Sequence, residues 1–283
     1  GIPYYTIPRY TYYDTGIRPG MVSIYGILVC THLVRYPCPT SIGVLWNIGV
    51  ILGSLICTQL YTGILLGIYY TPGIYTAYYS IIHIVREVYY GSMYRLLHSS
   101  GASMVFLLVI VHVYRGVFYG TYIYVSSVLS IGIVVYGVLM SIAFLGYVLP
   151  WGLMSYWGAT VITNLYTSVP CMVPWFLGGF YISNPTITRY YTVHSVLPIL
   201  VSVPLVFHVL YIHRVSTSTG TGYNTGNNRV YFLVWLVGKD TMVLVQGLLV
   251  VLVQVYLGII MLAHPDNSLE ASVILTPIHI VPE

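Results

Sequence analysis

Long runs of apolar residues, separated by short breaks rich in polar residues, Pro or Gly, dominate the chain. They cover about residues 44–70, 92–119, 125–149, 190–213 and 231–262. At about 1.5 Å rise per residue, each is long enough to cross a hydrocarbon layer roughly 30 Å thick as a helix. In lipid every backbone N–H and C=O must be paired within the protein, so helices are predicted. The third run ends at Pro150, and the fifth carries Lys239 and Asp240 near its start. Residues 1–43 are polar and interrupted by proline. Their one apolar run, Met21–Val34, is too short to span and reads as a helix lying on the surface. Residues 150–189 are rich in Gly, Pro and aromatics, too apolar for an ordinary solvated loop, and are expected to pack on the membrane surface. The Pro-rich tail 263–283 is not a span, and no soluble domain boundary is visible. The pattern predicts an all-α integral membrane protein with an N-terminal extension (1–43), a four-span unit (44–213) and a last part (214–283) holding the fifth span.

Composition agrees. Of 283 residues, 58% are hydrophobic and 6% charged, against about 25% charged in a soluble domain. Mean hydropathy is +0.84. The net charge of +4 comes without a basic cluster, so nucleic-acid binding has no support. Cys30, Cys38, Cys57 and Cys171 form no C-x-x-C or C-x-x-C-H, which removes covalently attached haem and a zinc ribbon; they are expected to pack. No cleavable signal peptide is visible, and the chain starts on Gly1, which reads as a trimmed or incomplete N-terminus. Tyrosine is abundant (31, against 7 Phe). Some should sit at the membrane interfaces; the excess itself has no physical account. With five spans, one set of loops holds Arg9, Arg18, Arg35, Arg115, Arg214, Arg229 and Lys239, and the other Arg86, Arg95 and Arg189. The positive-inside rule then puts the N-terminus on the inner side.

Two histidine pairs stand out. His98 and His112 are 14 positions apart in the second span, as are His194 and His208 in the fourth. Fourteen residues make just under four turns and rise roughly 21 Å, so both members of a pair share a helix face at two depths. A lone histidine in an apolar helix is more often a hydrogen-bonded core residue than a ligand. Intramembrane ionisable groups are nonetheless functional by default. Equal spacing on two spans running the same way points to bis-histidine ligation of two haems, stacked through the membrane. Because both spans run inward, His98 should pair with His194 and His112 with His208.

Glycines repeat the period: Gly49 and Gly63 in the first span, Gly132 and Gly146 in the third. Glycine lets a flat group approach the backbone closely, although small residues also serve helix packing. Haem propionates need cations, and Arg95, Arg115 and Arg189 lie three to five positions from a histidine, near span ends. Interfacial snorkelling would place them there too. His213 and Asp240, with Lys239 beside it, share the inner side, where a histidine and a carboxylate could bind and protonate a quinone. A solvated helix end fits that spacing equally well.

Several strings carry a resemblance. They are W-N-x-G at Trp46–Gly49, H-S-S-G-A-S-M from His98, H-V-Y-R-G from His112, G-Y-V-L-P-W-G at 146–152 and W-G-A-T-V-I-T-N-L at 157–165. Then come I-T-R ending at Arg189, V-H-S-V-L-P around His194, P-D-N at 265–267 and T-P-I-H-I-V-P-E at the end. From about Trp46 to Glu283 the chain resembles mitochondrial cytochrome b, the dihaem core of ubiquinol–cytochrome c reductase (complex III). The resemblance implies non-covalent b-type haems: the low-potential one on His98 and His194, the high-potential one on His112 and His208. It implies an outer quinol-oxidation pocket of Phe144, Tyr147, Gly158, Ile162, Pro282 and Glu283, with Glu283 accepting the proton. It implies an inner quinone-reduction pocket of Asn47, His213, Lys239 and Asp240. It also implies a mitochondrial inner-membrane setting, a dimeric complex, and as partners an iron–sulfur (Rieske) protein, a cytochrome c1-type subunit and the other complex III subunits.

The sequence departs from that family in places. The family's P-E-W-Y stops at Pro282–Glu283, and its last three spans are absent, leaving a split gene, a second chain or an incomplete sequence as their source. Leu153 stands where the family has Gln, and Arg214-Val-Ser-Thr-Ser replaces a polar stretch, so the inner pocket differs in detail. The first 40 residues match no known pattern. The histidine spacing in the fourth span is that of the respiratory rather than the photosynthetic relatives. Two rivals remain. A dihaem anchor of another quinone-linked dehydrogenase would have no reason to carry 146–165 and the terminal P-E. A haem-free proton-relay transporter would favour Pro-broken spans, and Pro198 and Pro204 lean that way.

Overall fold

A computed structural model describes Gly26, His32 and residues 34–215, 229–261 and 263–280. Most of the surface helix expected over Met21–Val34, together with Arg9, Arg18, Pro282 and Glu283, lies outside the described residues. The elements are β1 (Pro37–Pro39), α1 (Ile48–Tyr69), α2 (Ala77–Glu87), α3 (Gly91–Phe118), α4 (Ser126–Val148), α5 (Leu153–Asn164), α6 (Met172–Leu177), α7 (Asn184–Val215), β2 (Arg229–Tyr231) and α8 (Phe232–Met261). Among the described residues, four helices are long and apolar enough to cross a membrane: α1 with its leading turn, α3, α4 and α7. The fifth apolar run forms the 30-residue α8.

Several hydroxyls of the spans are satisfied within their own helices, as lipid favours. Thr58 and Thr62 donate to the carbonyls of Ser54 and Thr58 at 2.9 and 2.7 Å, Ser141 to Gly137 at 3.1 Å, and Ser195 to Tyr191 at 2.8 Å. Each closes a bond within its own helix. Helix α7 runs unbroken through Pro198 and Pro204. A discontinuous span, the cue for a transporter, is therefore not formed there.

Helices α1 and α3 pack closely, as do α4 and α7, and α8 lies against α3 and α1. No comparably close packing joins α3 to α7 among the described residues. The bundle is two tight pairs facing each other. Ile48, Leu52, Leu55, Val105, Val109 and Val251 are buried where α1, α3 and α8 meet. A second buried cluster closes one end: Tyr70, Ala77, Ile84, Val148, Trp151, Ala159, Leu177, Ile182, Ile187 and Tyr190.

That end (called outer) holds the expected surface segment, which folds into α5 and α6. Trp151 turns the chain out of α4 with φ +53. The segment 263–280 is clipped onto it. The amide of Leu153 donates to Leu269 O at 2.9 Å, that of Ala271 to Trp151 O at 3.0 Å, and Trp157 Nε1 to Leu275 O at 2.9 Å. Asn267 Oδ1 accepts from the Ser155 amide at 3.1 Å. From α2, Tyr79 donates to Glu270 at 3.0 Å. At the opposite (inner) end, β1 and β2 form a short antiparallel ribbon pairing Cys38 with Val230, a feature the apolar pattern did not predict.

Candidate functional site

Helices α3 and α7 bring the four histidines together in two pairs. His98 faces His194 with ring centroids 6.3 Å apart and planes at 83°. His112 faces His208, also at 6.3 Å, with planes at 55°. A metal–imidazole nitrogen bond is about 2.0 Å, so two imidazoles on opposite sides of one ion stand roughly 6 Å apart, centre to centre.

The glycines back these rings. A Cβ on Gly146 would fall 2.6 Å from His194 Cε1, on Gly63 3.1 Å from His98 Cε1, on Gly132 3.3 Å from His208 Cε1, and on Gly49 3.7 Å from His112 Cε1. Each glycine thus leaves room for one imidazole edge, and the tightest contacts are at the outer level. Spacing alone had offered a flat cofactor as their neighbour; the structure supplies histidine rings.

The two levels differ in how the rings are held. Thr62 Oγ1 lies 3.0 Å from His98 Nδ1, and its own proton goes to Thr58 O. The hydroxyl therefore accepts from His98 Nδ1–H. His194 Nδ1–H donates to Ile142 O at 2.8 Å. Both outer rings are fixed as Nδ1–H tautomers, which leaves the Nε2 lone pair for a metal. At the inner level His112 Nδ1 is buried without a hydrogen-bond partner among the described residues, and His208 interacts with the Val128 carbonyl without closing a hydrogen bond as short as that of His194. Arg115 Nε is also a buried orphan, and its guanidinium sits 5.3 Å from the Trp46 ring centre. A buried cation with unused donor capacity suits a carboxylate-bearing ligand. Arg95 is half-buried one turn before His98. Arg189 is exposed and donates to Trp175 O at 2.6 Å, close against Gly178. Taken together, facing imidazoles, glycine relief, loose packing between α3 and α7 and an orphan arginine fit two haems. No cluster of three His, Cys, Asp or Glu fit for a bare ion occurs among the described residues.

At the outer end, Phe144 and Tyr147 on the last turns of α4 meet α5. Gly158 lies against Tyr147, whose ring carbon would be 3.5 Å from an added Cβ. Ser155 donates to Tyr147 O at 2.7 Å, and Phe144 sits edge-on to Tyr190 at 5.9 Å. Ile162 follows Gly158 on the same helix, one turn on. The structure does not describe Pro282 and Glu283.

At the inner end, Asn47 Nδ2 donates to Asp240 Oδ1 at 2.5 Å, and Lys239 Nζ to Ile42 O at 3.1 Å. His213 stacks on Tyr36 at 4.1 Å and on His32 at 5.4 Å, with Phe232 edge-on at 6.4 Å. His32, Tyr36 and Thr62 were not singled out in the sequence. Only Thr62 left a trace there, one residue before a periodic glycine.

These features define a class: a membrane-spanning helical bundle with two levels of facing histidines. The family description Cytochrome b/b6/petB matches residues 33–216. Cytochrome b of Plasmodium berghei is 41% identical over 256 residues, covering 90% of this chain and 68% of that protein. Cytochrome b of Plasmodium falciparum is 42% identical over the same shares. A solved chain of a hyperthermophilic respiratory complex III superposes with a TM-score of 0.83 at 25% identity, covering 91% of this chain and 71% of that one. The chain belongs to the cytochrome b family.

Proposed function

We infer that the chain is the electron-transfer subunit of respiratory complex III, a quinol oxidoreductase, oxidising ubiquinol at the outer pocket and reducing ubiquinone at the inner one. Family membership and the complex III likeness support the role. The observation that carries the site assignment is the pair of histidine levels, each at 6.3 Å and each backed by glycines. Two non-covalent b-type haems, held by His98 with His194 and by His112 with His208, supply one-electron exchange between the pockets when bound. Gly49, Gly63, Gly132 and Gly146 give the imidazoles room, and Arg95, Arg115 and Arg189 are the cations available to propionates.

At the outer pocket Phe144, Tyr147, Gly158 and Ile162 would shape the quinol site, and Glu283 would take a proton. One electron leaves to an iron–sulfur partner and the other goes to the inner pocket. There His213 and Asp240 would deliver protons to the reduced quinone, with Asn47 holding Asp240 and Lys239 also lining the pocket. Asp240 held by Asn47, and Lys239 held by a backbone carbonyl, support a fixed rather than solvated arrangement. Electrons then move inward while protons are released outside. The seven-to-three distribution of Lys and Arg supports an N-terminus on the matrix side of the mitochondrial inner membrane. A Rieske protein, a cytochrome c1-type subunit and further complex III subunits would complete a dimeric assembly. The outer pocket packed from α4, α5 and 263–280 speaks against a simple dehydrogenase anchor.

The test is a reduced-minus-oxidised spectrum of the purified complex with haem counted by pyridine haemochrome. Two b-type haems per chain are expected; none would overturn the reading.

A further inference from the structure

His213 has a partner that the inner pocket as read above does not include. His32, from the segment before β1, brings its Nδ1 within 3.3 Å of His213 Nδ1, with the two rings inclined by only 14°. His32 and His213 are both half-buried. Two imidazole nitrogens at this distance can be satisfied in one way. Two N–H groups would repel, as would two lone pairs, so one nitrogen carries a proton and the other accepts it. Stacking alone does not explain the contact. His213 is already stacked on Tyr36 at 4.1 Å, and Phe232 lies edge-on to it at 6.4 Å. Tyr36 in turn points its hydroxyl to Ile212 O at 3.4 Å and leaves the His32–His213 contact to the imidazoles.

We propose that His32 is a proton-relay residue that recharges His213 during quinone reduction; this rests on the reading of His213 as part of the inner quinone pocket. In the starting state His32 bears its proton on Nδ1, and His213 bears its own on Nε2. A proton from the aqueous side binds His32 Nε2. The Nδ1 proton of His32 crosses to His213 Nδ1, and the Nε2 proton of His213 passes to the reduced quinone oxygen. One proton enters and one leaves, and the pair ends uncharged with its shared proton reversed. Proton exchange with water at both imidazoles, returning a proton to His32 Nδ1 and to His213 Nε2, resets it. His32 does not touch substrate, so it acts through His213.

The experiment uses the whole complex with the outer pocket blocked by an inhibitor and a short-chain ubiquinol reducing the haems backward from the inner face. The absorbance change gives the rate. H32A and H32F should each slow it about tenfold, below the 10²–10⁴-fold of a group that meets substrate directly. Added imidazole should restore H32A, where truncation leaves a gap, and not H32F, where the ring fills it. Haem content should stay unchanged in both. If H32F runs at the normal rate, His32 only stacks, and the proposal falls. It falls equally if both variants run normally or if imidazole fails to rescue H32A. Should H32A not assemble, H32Q keeps polarity without a titratable nitrogen: slowing supports the relay, a normal rate overturns it. H213A separates the two ideas. A normal rate in H213A removes the inner-pocket reading itself. A slow H213A beside normal His32 variants removes only the relay.

Discussion

The outer and inner histidine levels share a spacing, a ring separation and a glycine backing, yet they are restrained differently. Outside, both Nδ1 atoms are tied to protein acceptors, Thr62 and Ile142, and a Cβ on either glycine would come within about 3 Å of a ring. Inside, His112 Nδ1 is unpartnered among the described residues, His208 meets the Val128 carbonyl without a short hydrogen bond, and a Cβ on either glycine would stand further off. A sequence repeat can therefore duplicate a ligand frame without duplicating its electronics. As a proposed ligand, His98 would be a better electron donor than His112, because a hydrogen bond from Nδ1–H raises the basicity of Nε2.

Four measurements would break or sharpen this contrast. The largest effect is expected from H208L, which removes one ligand of the inner level. Haem per chain should fall by about half, with the outer spectrum retained; loss of both haems would mean that the levels are not independent. Next comes the glycine series. G146A forces a methyl group against His194 at 2.6 Å, an overpacking that costs about 1–3 kcal/mol and should lower haem retention at the outer level. G49A, with 3.7 Å available, should leave the inner level intact. Equal behaviour of the two variants would erase the distinction.

N267A is expected to act through the outer pocket alone. It leaves the Ser155 amide unpaired, a cost of about 1–3 kcal/mol if the group stays dry. Quinol oxidation should slow several-fold while haem content holds. Loss of haem instead would place Asn267 in bundle stability. The smallest effect belongs to T62V. Removing one hydrogen bond worth about 1 kcal/mol should raise the outer midpoint potential by roughly 40 mV for a one-electron couple. A shift at the inner level, or none at either, would remove the electronic half of the comparison.

Much of the bundle was legible because it is local and periodic. Apolar length gave the spans, and a 14-residue period gave the histidines and the glycines that back them. Helix α2 was missed although it left a signal. Ala77, Ile81 and Ile84 recur at helical spacing, and Ala77 and Ile84 are fully buried. The run is too short and too rich in Tyr to read as a span. The clip from Asn267 to Ser155 and the meeting of His32 with His213 were illegible for a different reason. They join residues more than a hundred positions apart, and no periodicity encodes such a contact. The Arg189 side chain shows the opposite failure: proximity in sequence to His194 did not decide its partner, and it bonds the Trp175 carbonyl.

The small ribbon at the inner end also sets an order of events. It pairs Pro37–Pro39 with Arg229–Tyr231, strands about 190 residues apart. At roughly 5–20 residues per second of synthesis, the first strand waits on the order of 10–40 s before its mate is made. By the time that mate emerges, α1, α3, α4 and α7 have all left the ribosome, so both histidine levels can form before the ribbon closes. A translation stall between residues 215 and 229 would yield a bundle with all four histidines but without Lys239 and Asp240 of the proposed inner pocket.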